Sequence, residues 1–149
     1  MPNEVPSRAE SSVELRVVND LSEIARVATL VEDFAARHDF QESVAVALNV
    51  SLDEILNNII SYAYDDAGRH DILVRLELRS GAVEVLVEDD GKAFDPLAVA
   101  APRPRSESGA ADAALGGVGL HFVRSLMDRL EYARHDGFNR LRLVKKLRE

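Results

Sequence analysis

Glu54 and Asn58 stand four residues apart in the stretch Ser51-Leu52-Asp53-Glu54-Ile55-Leu56-Asn57-Asn58-Ile59-Ile60-Ser61-Tyr62-Ala63-Tyr64. On a helix they project from one face, one turn apart. A carboxylate beside an amide oxygen suits a hard cation such as Mg²⁺, with phosphate oxygens and waters completing its shell. A solvated polar pair has the same spacing. Further on, Val85-Leu86-Val87-Glu88-Asp89-Asp90-Gly91 runs an apolar strand into carboxylates and a glycine. An Asp at a strand end can accept a hydrogen bond from a ligand amino group, while Gly lets the backbone approach closely. An ordinary Asp-Gly turn would look the same. Phe94-Asp95-Pro96 follows as a hydrophobic anchor and a turn. The third stretch, Leu115-Gly116-Gly117-Val118-Gly119-Leu120, leads into a helix. There, free N–H groups and the positive end of the dipole suit phosphate, and a glycine hinge fits equally well. It lacks the Gly-Lys-Ser/Thr of a Walker A loop, and no βαβ unit surrounds it to make a dinucleotide fingerprint. His38, His70, His121 and His135 are scattered without metal-ligand or carboxylate–His spacing and read as surface or packing residues.

The elements that must hold these residues follow from hydrophobic periodicity. Residues 1–12 are polar, contain Pro2 and Pro6, and read as a flexible tail ahead of one domain over 13–149. Val13, Leu15 and Val17 alternate as a short strand. Asn19 or Asp20 can cap a helix carrying Leu21, Ile24, Val27, Ala28, Val31 and Ala35. A second helix runs from about Gln41 to Tyr64, with Val44, Leu48, Leu52, Ile55, Ile59 and Ala63 as its buried stripe. After Asp65-Asp66-Ala67-Gly68, Ile72 to Leu78 and Val83 to Val87 alternate around Ser80-Gly81 as a β-hairpin. Asp90 to Gly119 is rich in Ala, Pro, Ser and Gly, the composition of a lid or binding loop. A helix from Gly119 to Met127 and two strands, near Leu130–Arg134 and Arg140–Leu147, flank a turn at Asp136-Gly137-Phe138-Asn139. The order predicts an α+β fold, with helices on one face of a mixed, mostly antiparallel sheet.

Composition narrows the function classes. At 149 residues the chain is one ordinary domain, with 46% apolar and 30% charged residues, a globular balance. Its formal charge of −8 is uneven: −9 over 1–66, −3 over 67–119 and +4 over 120–149. Acidity of this order argues against nucleic-acid binding, which needs clustered Lys and Arg. The basic run Arg140, Arg142, Lys145, Lys146 and Arg148 reads as a solvated strand face. With no cysteine there is no disulfide, zinc-thiolate site or cysteine nucleophile. No apolar run approaches the ~18 residues that span a bilayer. A cytoplasmic protein with no membrane association is the expectation.

In their order and spacing the three stretches resemble the GHKL superfamily of ATP-binding domains, which includes gyrase, histidine kinases and mismatch-repair ATPases. Within it the chain is most similar to stand-alone bacterial anti-sigma factor serine/threonine-protein kinases. Glu54-x-x-x-Asn58 with Tyr62-Ala63-Tyr64 looks like the N-box, and Asp89-x-Gly91-x-x-Phe94-Asp95 like the first glycine box. Gly116-Gly117-Val118-Gly119-Leu120, continuing to Ser125-Leu126-Met127-Asp128, is similar to the second box. The likeness spans roughly 20–147. It departs at Ala93, where many relatives carry a second Gly, and at Tyr62, which replaces a common His. After Lys92 the lid holds no Lys, leaving Arg103 and Arg105 as its cations.

The resemblance implies a two-layer α/β sandwich, the Bergerat ATP-binding fold, with a flexible ATP lid. It implies that Asn58 coordinates Mg²⁺ on the triphosphate and that Glu54 orients or deprotonates the attacking hydroxyl. Asp89 would accept from the adenine amino group, and Gly91 would keep the base pocket open. Phe94, Gly116, Gly117, Val118, Gly119 and Leu120 would complete the ATP site, with Gly117 and Gly119 offering N–H groups to the phosphates. The implied function is an ATP-dependent serine/threonine-protein kinase. It would phosphorylate a STAS-type anti-anti-sigma protein, sequester a sigma factor when that partner is absent, and form a homodimer. Ala93 and the Lys-poor lid keep an alternative open: a weak or inactive ATP-binding module that acts by sequestration.

Overall fold

The computed structural model describes residues 10–96 and 120–148. Most of the expected tail, residues 97–119 of the expected lid, and with them Gly116, Gly117, Val118 and Gly119 lie outside the described residues. The elements are β1 (Ser11–Val18), a single 3-10 turn (Leu21–Glu23), α1 (Ile24–Arg37), α2 (Glu42–Tyr62), β2 (Asp71–Arg79) and β3 (Ala82–Asp89). Residues 120–126 form α3, followed by β4 (Arg129–His135) and β5 (Phe138–Lys146). The strands lie in the order β1-β2-β3-β5-β4, and all four pairings are antiparallel, so the sheet has no parallel component among the described residues.

Strand alternation decides which face is covered. Ile72, Val74 and Leu76 of β2, Val83, Val85 and Val87 of β3, and Leu141 and Leu143 of β5 point to one side. There they pack with Val27, Val31 and Phe34 of α1, Val44, Leu48, Leu52 and Ile55 of α2, and Leu120, Val123 and Met127 around α3. Each side chain so buried contributes about 1.5–3 kcal/mol relative to exposure. α2 is the one described helix long and apolar enough by composition to cross a membrane, and its apolar stripe lies in this core. Ile59 and Ala63, the last residues of that stripe, are only partly buried because the core ends before α2 does.

The opposite sheet face carries charge. Register places Glu88 across from Arg140, Leu86 across from Arg142, and Glu14 across from Arg75. Ion pairs Arg140–Glu88 (2.8 Å), Arg142–Glu84 (3.3 Å) and Arg75–Glu14 (3.1 Å) span neighbouring strands. Arg140 and Arg142 of the C-terminal basic run are therefore paired within the sheet. Lys145 turns aside, and its Nζ donates to the Leu126 carbonyl (2.9 Å), one of the acceptors left open at the end of α3. Asp128 accepts from the Lys146 N–H (2.7 Å), so the Leu126-Met127-Asp128 sequence ties α3 to β5.

Three differences from the sequence expectation have a plain physical cause, and the other element ends shift by one or two residues. β1 begins at Ser11 rather than Val13, shortening the expected 1–12 tail, because Ser11 and Ser12 face Leu78 and Glu77 across the ladder. Asp20 is the cap, accepting from Ser22 N–H at 2.9 Å, but it opens the 3-10 turn, and α1 starts only at Ile24. The β4–β5 connection needs two residues, not four. Asp136 (φ 52°) and Gly137 (φ 84°) both sit in the left-handed region, the signature of a tight hairpin turn whose twist matches its strands. Phe138 and Asn139 consequently belong to β5, and Asn139 pairs with Asp89.

Candidate functional site

Where α2 outruns the core, a cavity of about 600 Å³ opens between its last turns, the ends of β3 and β5, and the chain after Asp89. Ile55, Ile59, Val87 and Leu141 make apolar walls. Asn58 and Asp89 are among its polar groups, and Ala93, Phe94 and Leu120 also line it. An apolar cavity of this size with few convergent polar groups is the usual form of a small-molecule site.

Asp89 is 4% exposed. Its Oδ1 accepts from the Gly91 N–H (2.8 Å) and from Asn139 Nδ2 (3.0 Å), and Oδ2 accepts nothing from the described residues. Burial pushes its carboxyl above the usual value, against the pull of those two donors. Asn139, 6% exposed, also donates from Nδ2 to the Lys92 carbonyl (2.8 Å). Its Oδ1 accepts from Tyr132 Oη, from Arg134 Nη1 (3.1 Å) and from the Phe94 N–H (3.3 Å). Arg134 Nη1 reaches the Gly91 carbonyl as well (2.8 Å).

Across the cavity, Asn58 Nδ2 donates to Glu54 Oε2 (2.6 Å) and to the Glu54 carbonyl (2.8 Å). Both amide hydrogens are committed, and Asn58 Oδ1 accepts from no partner among the described residues. An uncommitted amide oxygen beside a carboxylate fits a hard cation. No group of three or more His, Cys, Asp or Glu that could hold a metal occurs among the described residues, so other ligands would have to complete the shell. Glu54 does not line the cavity; it sits one helical turn from Asn58 and holds it.

Gly91 does not line the cavity either. A Cβ there would lie 2.5 Å from the Ala63 Cβ and 2.7 Å from its carbonyl oxygen. This glycine lets the chain leaving β3 close on the end of α2, where the Lys92 N–H donates to the Ala63 carbonyl (2.9 Å). Lys92 Nζ pairs with Asp65 (3.0 Å) across the same junction. His70 lies between Asp66 (2.9 Å) and Asp90 (3.3 Å), with its ring stacked on Tyr64 at 4.1 Å. The hydrogen bond that His70 donates to Asp66 raises the His70 pKa, and the same bond lowers that of Asp66. Burial, with Asp89 and Asp90 nearby, pushes the Tyr64 hydroxyl well up, so it stays neutral. His70 therefore does have a carboxylate partner at helical spacing, Asp66, contrary to the sequence expectation, and it packs on Tyr64 and ties the loop to the end of β3.

Of the residues singled out from sequence, Asn58, Asp89, Phe94 and Leu120 line the cavity, while Glu54 and Gly91 do not and adjoin it through Asn58 and Ala63. Sequence reasoning missed Asn139, Tyr132 and Arg134. The available signal was the Asp136-Gly137 pair, which marks a two-residue turn and would have moved Asn139 into the strand.

The pattern of the histidine kinase-like ATPase domain matches residues 17–145. The serine/threonine-protein kinase BtrW of Bordetella bronchiseptica is 37% identical over 132 residues, covering 84% of this chain and 89% of that protein. The serine-protein kinase RsbW of Bacillus subtilis is 23% identical over 127 residues, covering 84% and 79%. Among solved structures, the RsbU and RsbW domains of a Mycobacterium tuberculosis protein superpose with a TM-score of 0.63 at 16% identity. That match covers 92% of this chain but only 32% of the larger one, and it speaks for the fold alone. With nearly its whole length matched in this way, the chain belongs to the histidine kinase-like ATPase domain family, among its serine/threonine-protein kinases.

Proposed function

We propose that the cavity holds Mg²⁺–ATP and that the chain transfers the γ-phosphoryl group to a serine or threonine of a STAS-type anti-anti-sigma protein. When that partner is absent, the chain sequesters a sigma factor. The observation that carries the nucleotide reading is one apolar cavity lined by both Asp89 and Asn58, each with an oxygen that accepts from no partner among the described residues. Asp89 accepts from the adenine amino group, and Phe94 and Leu120 pack beside the base or ribose. Asn58 Oδ1 holds Mg²⁺, whose chemistry is to neutralise the triphosphate charge. Glu54, already oriented by its bond to Asn58, takes the proton of the substrate hydroxyl as that oxygen attacks the γ-phosphorus and ADP leaves. Positioning and charge neutralisation supply most of such a reaction. Gly116, Gly117, Val118 and Gly119 contact the phosphates in this reading. A cytoplasmic homodimer is consistent with it, since the outer edge of β1 has no strand partner among the described residues.

The test is transfer from γ-labelled ATP to a co-expressed STAS-type partner, with ATP affinity measured in parallel. Glu54→Gln should lower transfer by about 10²–10⁴-fold, the usual worth of a general base, with ATP affinity changed less than ~3-fold. Full transfer by the variant removes Glu54 from the role. ATP binding with no transfer by the parent protein favours sequestration with ATP as a structural ligand.

A further inference from the structure

Gly91 N–H to Asp89 Oδ1 is a local bond that an Asp at a strand end makes readily within its own turn. It leaves the plane of the carboxylate free to swing about that one anchor. The second donor comes from a different strand. Asn139 Nδ2 reaches Oδ1 from β5, and two anchors on one oxygen fix where the other points.

Asn139 is itself held on every polar atom. Its two N–H groups go to Asp89 Oδ1 and the Lys92 carbonyl, and its oxygen takes Tyr132 Oη, Arg134 Nη1 and the Phe94 N–H. Turning the amide over would set its oxygen against two acceptors and its NH₂ against three donors, so the network permits one orientation. Arg134 also grips the Gly91 carbonyl, so the β4–β5 hairpin holds the turn after Asp89 at four points, from Asp89 to Phe94. Asp89 and Asn139 at its centre are buried, Tyr132 is half-buried and Arg134 is exposed, and a hydrogen-bond network satisfied at its buried centre rigidifies its members.

We propose that Asn139, locked by Tyr132 and Arg134, is the positioning residue that makes Asp89 a directional acceptor, and so sets selectivity for a base bearing an exocyclic amino group. It acts through Asp89, since its own donors and acceptor are all engaged. The inference rests on the reading that Asp89 meets the adenine amino group, and the experiment separates the two. Binding of ATP and of purine riboside triphosphate, which lacks only the 6-amino group, is measured with Mg²⁺ on the full chain for the parent, Asp89→Asn, Asn139→Ala and Tyr132→Phe.

The parent should prefer ATP by about 10–100-fold, the worth of one hydrogen bond to a charged acceptor. Asn139→Ala should cut that preference about 10-fold while leaving purine riboside triphosphate affinity within ~3-fold, and Tyr132→Phe should move the ratio about 2–3-fold the same way. Equal losses for both nucleotides, or an unchanged ratio, would overturn the positioning role. A preference kept by Asp89→Asn overturns the base-site reading itself, whereas one lost in Asp89→Asn and kept in Asn139→Ala overturns only the inference. If Asn139→Ala does not fold, Tyr132→Phe, which removes a single donor, decides alone.

Discussion

Glu88 and Asp89 are neighbours on β3, and Arg140 and Asn139 are their partners on β5, so two consecutive rungs of one ladder can be compared directly. The outward rung joins a carboxylate to a guanidinium at 2.8 Å, both partly in solvent. The inward rung joins a carboxylate to a neutral amide at 3.0 Å, both buried. On the open face each charge meets its opposite, and little field remains to act on anything else. At the cavity the amide binds the carboxylate without neutralising it, and burial raises the Asp89 pKa against the pull of its two donors and of the nearby Arg134 guanidinium. An unneutralised buried charge is costly to the fold, and it is where a ligand donor gains most. The difference lies in the partner, not the carboxylate: Arg at 140 closes the rung, and Asn at 139 leaves it open.

The sharpest test of that contrast is Asp89→Asn. If the proposed base site holds, ATP affinity should fall by about 100-fold, because the variant turns an NH₂ toward the adenine amino group that Asp89 is proposed to accept from. The unliganded protein should nevertheless melt ~2–4 °C higher at neutral pH, reflecting about 1 kcal/mol returned by removing a buried charge. The sign follows from the direction of the shift. With a folded pKa above the ordinary 3.8, the folded state binds more protons than the unfolded state between those two values, so stability falls as pH rises through that window. The penalty is complete above it and absent below 3.8, where both states are protonated. The gain from Asp89→Asn should therefore vanish in acid. A variant that melts lower than the parent at neutral pH would mean that the two donors already compensate the charge, and the two rungs would then be alike.

Gly91→Ala probes the turn into which the inward rung leads. Gly81 and Gly137 have open space around them and are glycine for their positive φ (81° and 84°). Gly91 is glycine for room, since a methyl would enter Ala63 at 2.5 Å. Forcing the β3 turn away from α2 should cost roughly 1–2 kcal/mol, or ~3–6 °C in melting temperature. ATP affinity should fall with it as the Lys92 N–H to Ala63 bond breaks. A variant as stable and as tight as the parent would show that the turn and the helix end are not coupled.

Most of this layout was legible in the chain itself, because each element carried its own period. The 3.6-residue recurrence of Val44, Leu48, Leu52 and Ile55 and the two-residue alternation of Ile72 to Leu78 are local signals, and both elements fall where those signals put them. Glu54 and Asn58 were visible for the same reason, their contact being set by helical geometry alone. Asn139 was not. Its role depends on a register between strands some fifty positions apart, which no local pattern encodes, and on a turn two residues long where four were expected. Gly91 was singled out for the pocket, yet it faces Ala63, because the closeness of the turn to α2 is a tertiary fact. The arginines of β5 looked like a free basic face, and only the strand order gives them Glu84 and Glu88 as partners.

The smallest effect belongs to the outward rung. Glu88→Gln and Arg140→Gln, singly and together, should each change stability by less than ~1 kcal/mol, the usual range for ion pairs with solvent access. Their coupling in the double-mutant cycle should shrink in 1 M salt, where the screening length falls to about 3 Å. ATP affinity should stay within ~2-fold throughout, since a pair that neutralises itself exerts little net field on the cavity side of the sheet. This null result is informative because Glu88 is covalently next to Asp89. A tenfold change in ATP affinity on neutralising either partner would show that the charge of the open face reaches the base pocket through the shared strands. The two faces of the ladder would then titrate as one system, and the open face would have to be counted as part of the site.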